Sequence, residues 1–159
     1  MKRLRVRADP APDLGQPCWQ ATWPSDLRRK DDAVEAAASA IAAAGPISDE
    51  EAPWLRLCLD EIVVNAMVHG NEADPDLPVS LGLWADGNGW TLRVGDRGRG
   101  FDPAAIPDPG DPSSLLLEHG RGIRIMLDWL DRLAYHDGGR TVDLARRYHH
   151  PAPRAASPP

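Results

Sequence analysis

Residues 55–96 read LRLCLDEIVVNAMVHGNEADPDLPVSLGLWADGNGWTLRVGD, and the spacing of their apolar residues changes once along the way. Leu55, Leu59, Ile62 and Ala66 recur at helical spacing and define a stripe that must be buried. Gly70 then stops the helix. Val79, Leu81 and Leu83 alternate, Asp86-Gly87-Asn88-Gly89 supplies a hairpin turn, and Leu92 and Val94 alternate again. An amphipathic helix beside a hairpin with one apolar face gives each element a surface that covers the other. That is half of a two-layer α+β sandwich.

The pattern extends outward on both sides. Ser48 and Glu51 have the spacing of a capping box and open the helix, although Pro53 conflicts mildly with that start. The helix is therefore expected to begin a few residues later or to bend there. Residues 26–44 are alanine-rich without a breaker and read as a first helix, stopped by Gly45. Trp19, Ala21 and Trp23 alternate in a short strand. Downstream, Pro103, Pro107, Pro109 and Pro112 exclude regular structure, and a helix is expected at 122–131 with Ile123, Met126, Leu127 and Leu130 on one side. Strands near 132–136 and 141–147, joined by Asp137-Gly138-Gly139, complete an order β-α-α-β-β-loop-α-β-β. The expected fold is α+β: a two-layer α/β sandwich with a mixed, mostly antiparallel sheet covered on one face by helices. Prolines crowd both ends, so residues 1–17 and 148–159 read as an unpacked leader and tail around a domain of residues 18–147.

Composition limits the function. The 159 residues make one ordinary domain, and 18 basic against 24 acidic residues leave a net charge of −6, which argues against binding nucleic acid through phosphate contacts. No run of 18 apolar residues exists to span a membrane, and the basic N-terminus lacks an apolar segment behind it. Cys18 and Cys58 form no CxxC pair, which suits a reducing, cytoplasmic setting and excludes a cysteine-built zinc site. Outside the first cluster below, the histidines His119, His149 and His150 are among those that offer no zinc-ligand spacing. Trp54, Trp84, Trp90 and Trp129 read as core or sheet-face residues.

Three clusters carry chemistry. Glu61, Asn65 and His69 are spaced by four and share one helical stripe, placing a carboxylate and an amide oxygen where a general base beside Mg²⁺ would need them. A solvated polar face would look the same. Asp96-Arg97-Gly98-Arg99-Gly100 follows a strand, so an acceptor able to bind an exocyclic amine stands beside glycines that let a ligand approach the backbone. A plain glycine turn, or an RNA-binding patch, also fits this stretch. Gly120-Arg121-Gly122 reads as a helix opening, where free N–H groups cradle an anion, or simply as a flexible helix entry.

Taken in order, ExxxNAxxHG, DRGRGFDP and GRGI resemble the N, G1 and G2 boxes of the GHKL (Bergerat-fold) ATPases, and most of all the anti-sigma-factor serine kinases of bacterial partner-switching systems. The resemblance spans about residues 18–147. It implies ATP and Mg²⁺ as cofactors, Asn65 as the Mg²⁺ ligand, Glu61 as catalytic base and Asp96 as the adenine-binding carboxylate with Gly98 and Gly100 beside it. It further implies Gly120, Arg121 and Gly122 at the phosphates, Thr141 near the adenine, and residues 101–119 as the ATP lid. Arg140 stands as an insertion before that threonine.

The helix ahead of these boxes contains no histidine, so a phospho-accepting histidine of the histidine-kinase type is missing there. A lone ATP domain that keeps its base is expected to act on another protein. The resemblance implies a serine/threonine-protein kinase that phosphorylates a STAS-like anti-anti-sigma factor and holds a sigma factor when that antagonist is absent. Relatives of this kind often dimerise, so a homodimer belongs among its assemblies; nucleic acid and membrane do not belong among its partners. The alternative is a non-catalytic ATP-binding module that shapes a partner surface.

Overall fold

The structure, a computed structural model, describes residues 5–100 and 118–149. Its sheet has six strands: β1 (Arg5–Val6), β2 (Trp19–Pro24), β3 (Pro78–Ala85), β4 (Gly89–Gly95), β5 (Arg132–His136) and β6 (Thr141–Arg147). The spatial order is β1-β5-β6-β4-β3-β2, antiparallel throughout except for the parallel β1–β5 pair. Three helices cover one face: α1 (Lys30–Ala44), α2 (Ala52–Val64) and α3 (Glu118–Trp129). This is the expected α+β sandwich with a mixed, mostly antiparallel sheet.

The helix–hairpin pairing inferred from residues 55–96 carries the core. Leu55, Leu59, Ile62 and Ala66 are all buried, against Val79, Leu81, Leu83, Leu92 and Val94 from the inner face of the hairpin. Each large side chain so buried contributes roughly 1.5–3 kcal/mol. The turn closes as its residues suggest, with Asp86 Oδ1 accepting from the amides of Asn88 and Gly89 at 2.7 and 3.1 Å. Small residues let α1 lie close, because Ala33, Ala37 and Ala38 are buried beside Val34 and Ile41.

Helix ends follow local chemistry. The capping box forms in both directions: the Glu51 amide donates to Ser48 Oγ (3.2 Å) and the Ser48 amide to Glu51 Oε2 (3.1 Å). Regular helix starts at Ala52, so Pro53 falls in the first turn, where its missing N–H costs nothing. Glu51 Oε1 also accepts from Arg146 Nη2 at 3.0 Å, tying the start of α2 to the end of β6. α1 stops at Gly45 as expected, but Gly45 is extended rather than left-handed. Its role is spatial, since a Cβ there would collide with the ring of Tyr148.

Three expectations need correction. Residues 5–17 are not an unpacked leader. Arg5 and Val6 pair with Ala134 and Tyr135, and Asp137 N and Gly138 N donate to the carbonyls of Asp9 and Arg7 at 2.7 and 3.1 Å. The segment then crosses the helix-free face, where Arg93 Nη2 donates to Pro12 O (2.9 Å) and Trp84 Nε1 to Gly15 O (3.0 Å). Beneath it Asp143 is wholly buried, bound by Arg93 through both carboxylate oxygens at 2.7 and 3.0 Å, with His136 Nε2 3.3 Å away. At the other end, Tyr148 is buried rather than part of a loose tail; residues 150–159 lie outside the described residues. Finally, Trp54 stands 49% exposed on α2, while Trp90 and Trp129 pack together as expected.

Candidate functional site

α2 does not end as an ordinary α-helix. Its last turns, Asn65–Gly70, wind as a π-helix, a rare form that is frequent at functional sites. A cavity of about 270 Å³ opens between this segment and the ends of β4, β5 and β6. Its walls are apolar at Ile62, Ala66, Val94, Ile123 and Val142, with Asn65, His69, Asp96, Tyr135 and Arg140 supplying the polar groups. An apolar slot with a few convergent polar groups suits a flat heterocycle carrying charged substituents.

Asp96 follows directly on β4 and is fixed from both sides. Its amide donates to Arg140 O at 2.9 Å, and its Oδ1 accepts from the Gly98 amide at 2.8 Å. Burial raises the pKa of this carboxyl, while the Gly98 bond and the Arg140 charge pull it back down. Three glycines make room for it. A Cβ on Gly70 would overlap the Asp96 carboxyl, one on Gly98 would overlap the carbonyl of Gly70, and one on Gly100 would overlap that of Gly138. Gly138 and Gly139 adopt φ of 62° and 94°, so the turn into β6 also depends on glycine.

Asn65 faces the cavity one turn after Glu61, with the Tyr135 hydroxyl of β5 close to its side chain. That hydroxyl is buried, which raises its pKa, and the nearby Asn65 amide works in the opposite direction. Glu61 lies beside the cavity at the α2–α3 contact. A Cβ on Gly122 would overlap its carboxylate, so the glycine of α3 is what allows Glu61 this position. Cys58, nearby on α2, is buried and its thiol is pushed up to about 12 by that burial, which makes it an inert packing group.

The structure thus brings Asn65, Asp96 and Gly100 to one cavity, with Gly98 and Glu61 adjoining it. Gly120, Arg121 and Gly122 are the third to fifth residues of α3, so they fall in its opening turns, where the first amides have no intrahelical acceptor. One expectation changes. Thr141 is the first residue of β6 and does not line the cavity; strand alternation gives that place to Val142, and Arg140 joins it. The expected lid, residues 101–119, lies outside the described residues up to 117, and residues 118 and 119 belong to α3.

Sequence reasoning missed Gly70, Tyr135 and Arg140 as site residues. Gly70 was visible only as a helix stop, and Tyr135 only as one residue of a short strand. Among the described residues, no group of three or more His, Cys, Asp or Glu side chains could hold a metal ion. A Mg²⁺ at Asn65 would then depend on phosphate and water oxygens for its remaining ligands, as this ion commonly does. No helix among the described residues is long and apolar enough to cross a membrane.

Comparison with known families finds that residues 23–146 match the histidine kinase-like ATPase domain. No curated protein matches the chain.

Proposed function

The chain belongs to the histidine kinase-like ATPase domain family, a GHKL-type group of ATP-binding domains, and we propose that it is an ATP-dependent serine/threonine-protein kinase. In this reading it is an anti-sigma factor of a bacterial partner-switching system, acting in the cytoplasm on a STAS-like anti-anti-sigma factor and holding a sigma factor when the antagonist is absent. The observation that carries it is Glu61, seated against Gly122 one helical turn before Asn65. Nucleotide binding alone does not call for a carboxylate there.

The residues divide the work as follows. Asp96 accepts a hydrogen bond from the exocyclic amine of adenine, and Gly98 and Gly100 let the ring approach the backbone. Asn65 offers its amide oxygen to Mg²⁺, which when bound neutralises phosphate charge. Tyr135 places its hydroxyl beside the Asn65 side chain. Glu61 takes the proton from an incoming serine or threonine hydroxyl as its oxygen bonds to the γ-phosphorus and the bond to the ADP oxygen breaks.

The second reading, an ATP-binding module without chemistry, needs only Asp96 and Asn65 at the cavity and is weakened by Glu61. Single-turnover transfer from labelled ATP to a partner captured from the native cell separates the two. Glu61→Gln should leave ATP affinity nearly unchanged and slow transfer by about 10²–10⁴, the usual worth of a positioned base. A wild-type protein that binds ATP but transfers nothing to any captured partner would establish the module reading.

A further inference from the structure

Asn71 follows the EIVVNAMVHG stretch and does not line the cavity, yet its side chain is fully engaged. It is 1% exposed, and every polar atom of its amide has a partner. Nδ2 donates to Ser25 Oγ (2.9 Å), Leu77 O (3.0 Å) and Pro78 O (3.2 Å), while Oδ1 accepts from the Arg97 amide at 2.8 Å. Its own backbone amide donates to Ala66 O at 2.9 Å, five residues back, which is the bond that completes the π-helical end of α2. The next two residues, Glu72 and Ala73, hold φ of 53° and 56°, a left-handed conformation that non-glycine residues adopt only when held there.

We propose that Asn71 is a positioning residue for nucleotide binding. Its Oδ1 holds the Arg97 amide and so fixes the Asp96-Arg97-Gly98 turn against the end of α2. The two sides of the amide have separate tasks. The Nδ2 side organises the loop from residue 71 to 78 and its contact with Ser25. The Oδ1 side reaches across to the turn that presents the Asp96 carboxylate. The neighbouring geometry requires such a fixture, because Gly70, Gly98 and Asp96 meet with no space for a Cβ at either glycine. A turn that drifted by a fraction of an ångström would turn the Asp96 carboxylate away from the cavity. This inference rests on the reading of the cavity as an adenine-nucleotide site.

The test is a calorimetric titration of the full chain with ATP, using Asn71→Ala, Ser25→Ala, Asp96→Ala and the Asn71→Ala/Asp96→Ala pair. Ser25→Ala removes an Nδ2 partner, and with it the Ser25 hydroxyl's own 2.6 Å bond to Leu77 O, but leaves the Arg97 contact alone. It should lower Tm while keeping Kd within about twofold. Asn71→Ala should lower Tm and also raise Kd by about tenfold, as expected from one buried hydrogen bond acting on the binding group. In the Asp96→Ala background it should add nothing further, because Asn71 acts through Asp96. An unchanged Kd for Asn71→Ala, an equal rise for Ser25→Ala, or a full additive effect in the Asp96→Ala background would each overturn the proposal. If Asn71→Ala does not fold, Asn71→Ser is titrated in its place and read by the same outcomes, since its hydroxyl is too short to serve both sides. Asp96→Ala alone reports on the underlying reading: an unchanged ATP affinity there refutes the adenine site itself, whatever Asn71 does.

Discussion

Gly70→Ala places one methyl group directly against the Asp96 carboxyl at the cavity wall. The new carbon would stand 2.9 Å from Asp96 Cβ and overlap the Asp96 carboxyl, whereas an ordinary contact begins near 3.4 Å. Asp96 has little freedom to retreat. Its amide is bound to Arg140 O, and its Oδ1 takes the Gly98 amide at 2.8 Å, so a shift of about 1 Å would stretch that bond beyond hydrogen-bonding range. The methyl therefore either swings the carboxylate aside or levers the end of α2 away from the sheet. In the first case the charged acceptor for the adenine amine is lost, which costs about 1.5–3 kcal/mol of binding, or roughly ten- to hundredfold in Kd. Fold stability should fall by about 1–3 kcal/mol from overpacking, offset in part by the lower backbone entropy of alanine. Calorimetric titration with ATP and ADP, at a temperature where circular dichroism shows a folded protein, measures the binding loss. A Kd within twofold of wild type, in a variant as well folded, would show that Asp96 is not the group that reads the base.

Asp96→Ala should weaken ATP by the same roughly ten- to hundredfold, and wild type should bind GTP poorly because guanine has a carbonyl where adenine has its amine; equal ATP and GTP affinities would contradict this. Burial raises the Asp96 pKa, so its stabilising effect is complete below the unfolded carboxylate pKa of about 3.9 and is lost as pH rises through the folded value. Asp96→Asn should accordingly raise the apo Tm at pH 7 while weakening ATP, and a lower Tm would count against it. Gly122→Ala should leave ATP affinity within about twofold but slow phosphotransfer by about 10²-fold, the usual cost of a misplaced catalytic group, as measured by single-turnover transfer. Burial also lowers the pKa of His136, Asp143 opposes that, and Arg93, Arg132 and Arg7 reinforce it. Here the stability is present above the unfolded histidine pKa of about 6.5 and is lost as pH falls from there toward the folded value, by at most about 1.4 kcal/mol per pH unit. Denaturant titrations between pH 7.5 and 5 should show that loss, and His136→Gln should flatten it.

The helix–hairpin–helix frame was legible because each of its signals is local. Leu55, Leu59, Ile62 and Ala66 needed only their own spacing, and Asp86 to Gly89 needed only the chemistry of four residues. The α1 stop was read at the right residue for the wrong reason, since Tyr148, which demands Gly45, lies far away in the chain. β1 escaped notice because a two-residue strand has no periodicity; its partner, β5, stabilises it only once the chain has folded. In the site, Asp96 and Asn65 could be found because their residue types announce a chemistry. Gly70, Tyr135 and Asn71 could not, as each acts through neighbours that only the tertiary fold supplies. The π-helical turn is likewise invisible, since its sequence does not differ in kind from the α-helix before it.

The segment that straps the helix-free face also bears on the order in which this protein can assemble as it is made. Val6 pairs with Tyr135, and Asp9 receives the amide of Asp137, so residues made early in this domain bind residues made much later. At about 5–20 residues per second, residue 6 waits roughly 6–26 s for its partner strand. During that interval Arg93 has been made but Asp143 has not, and the face that will bury their ion pair is open. Docking of residues 5–17 is therefore a late step, available only when β5 and β6 have joined the sheet. β1, the strand of this sheet that is made earliest, is thus among the last to reach its native place.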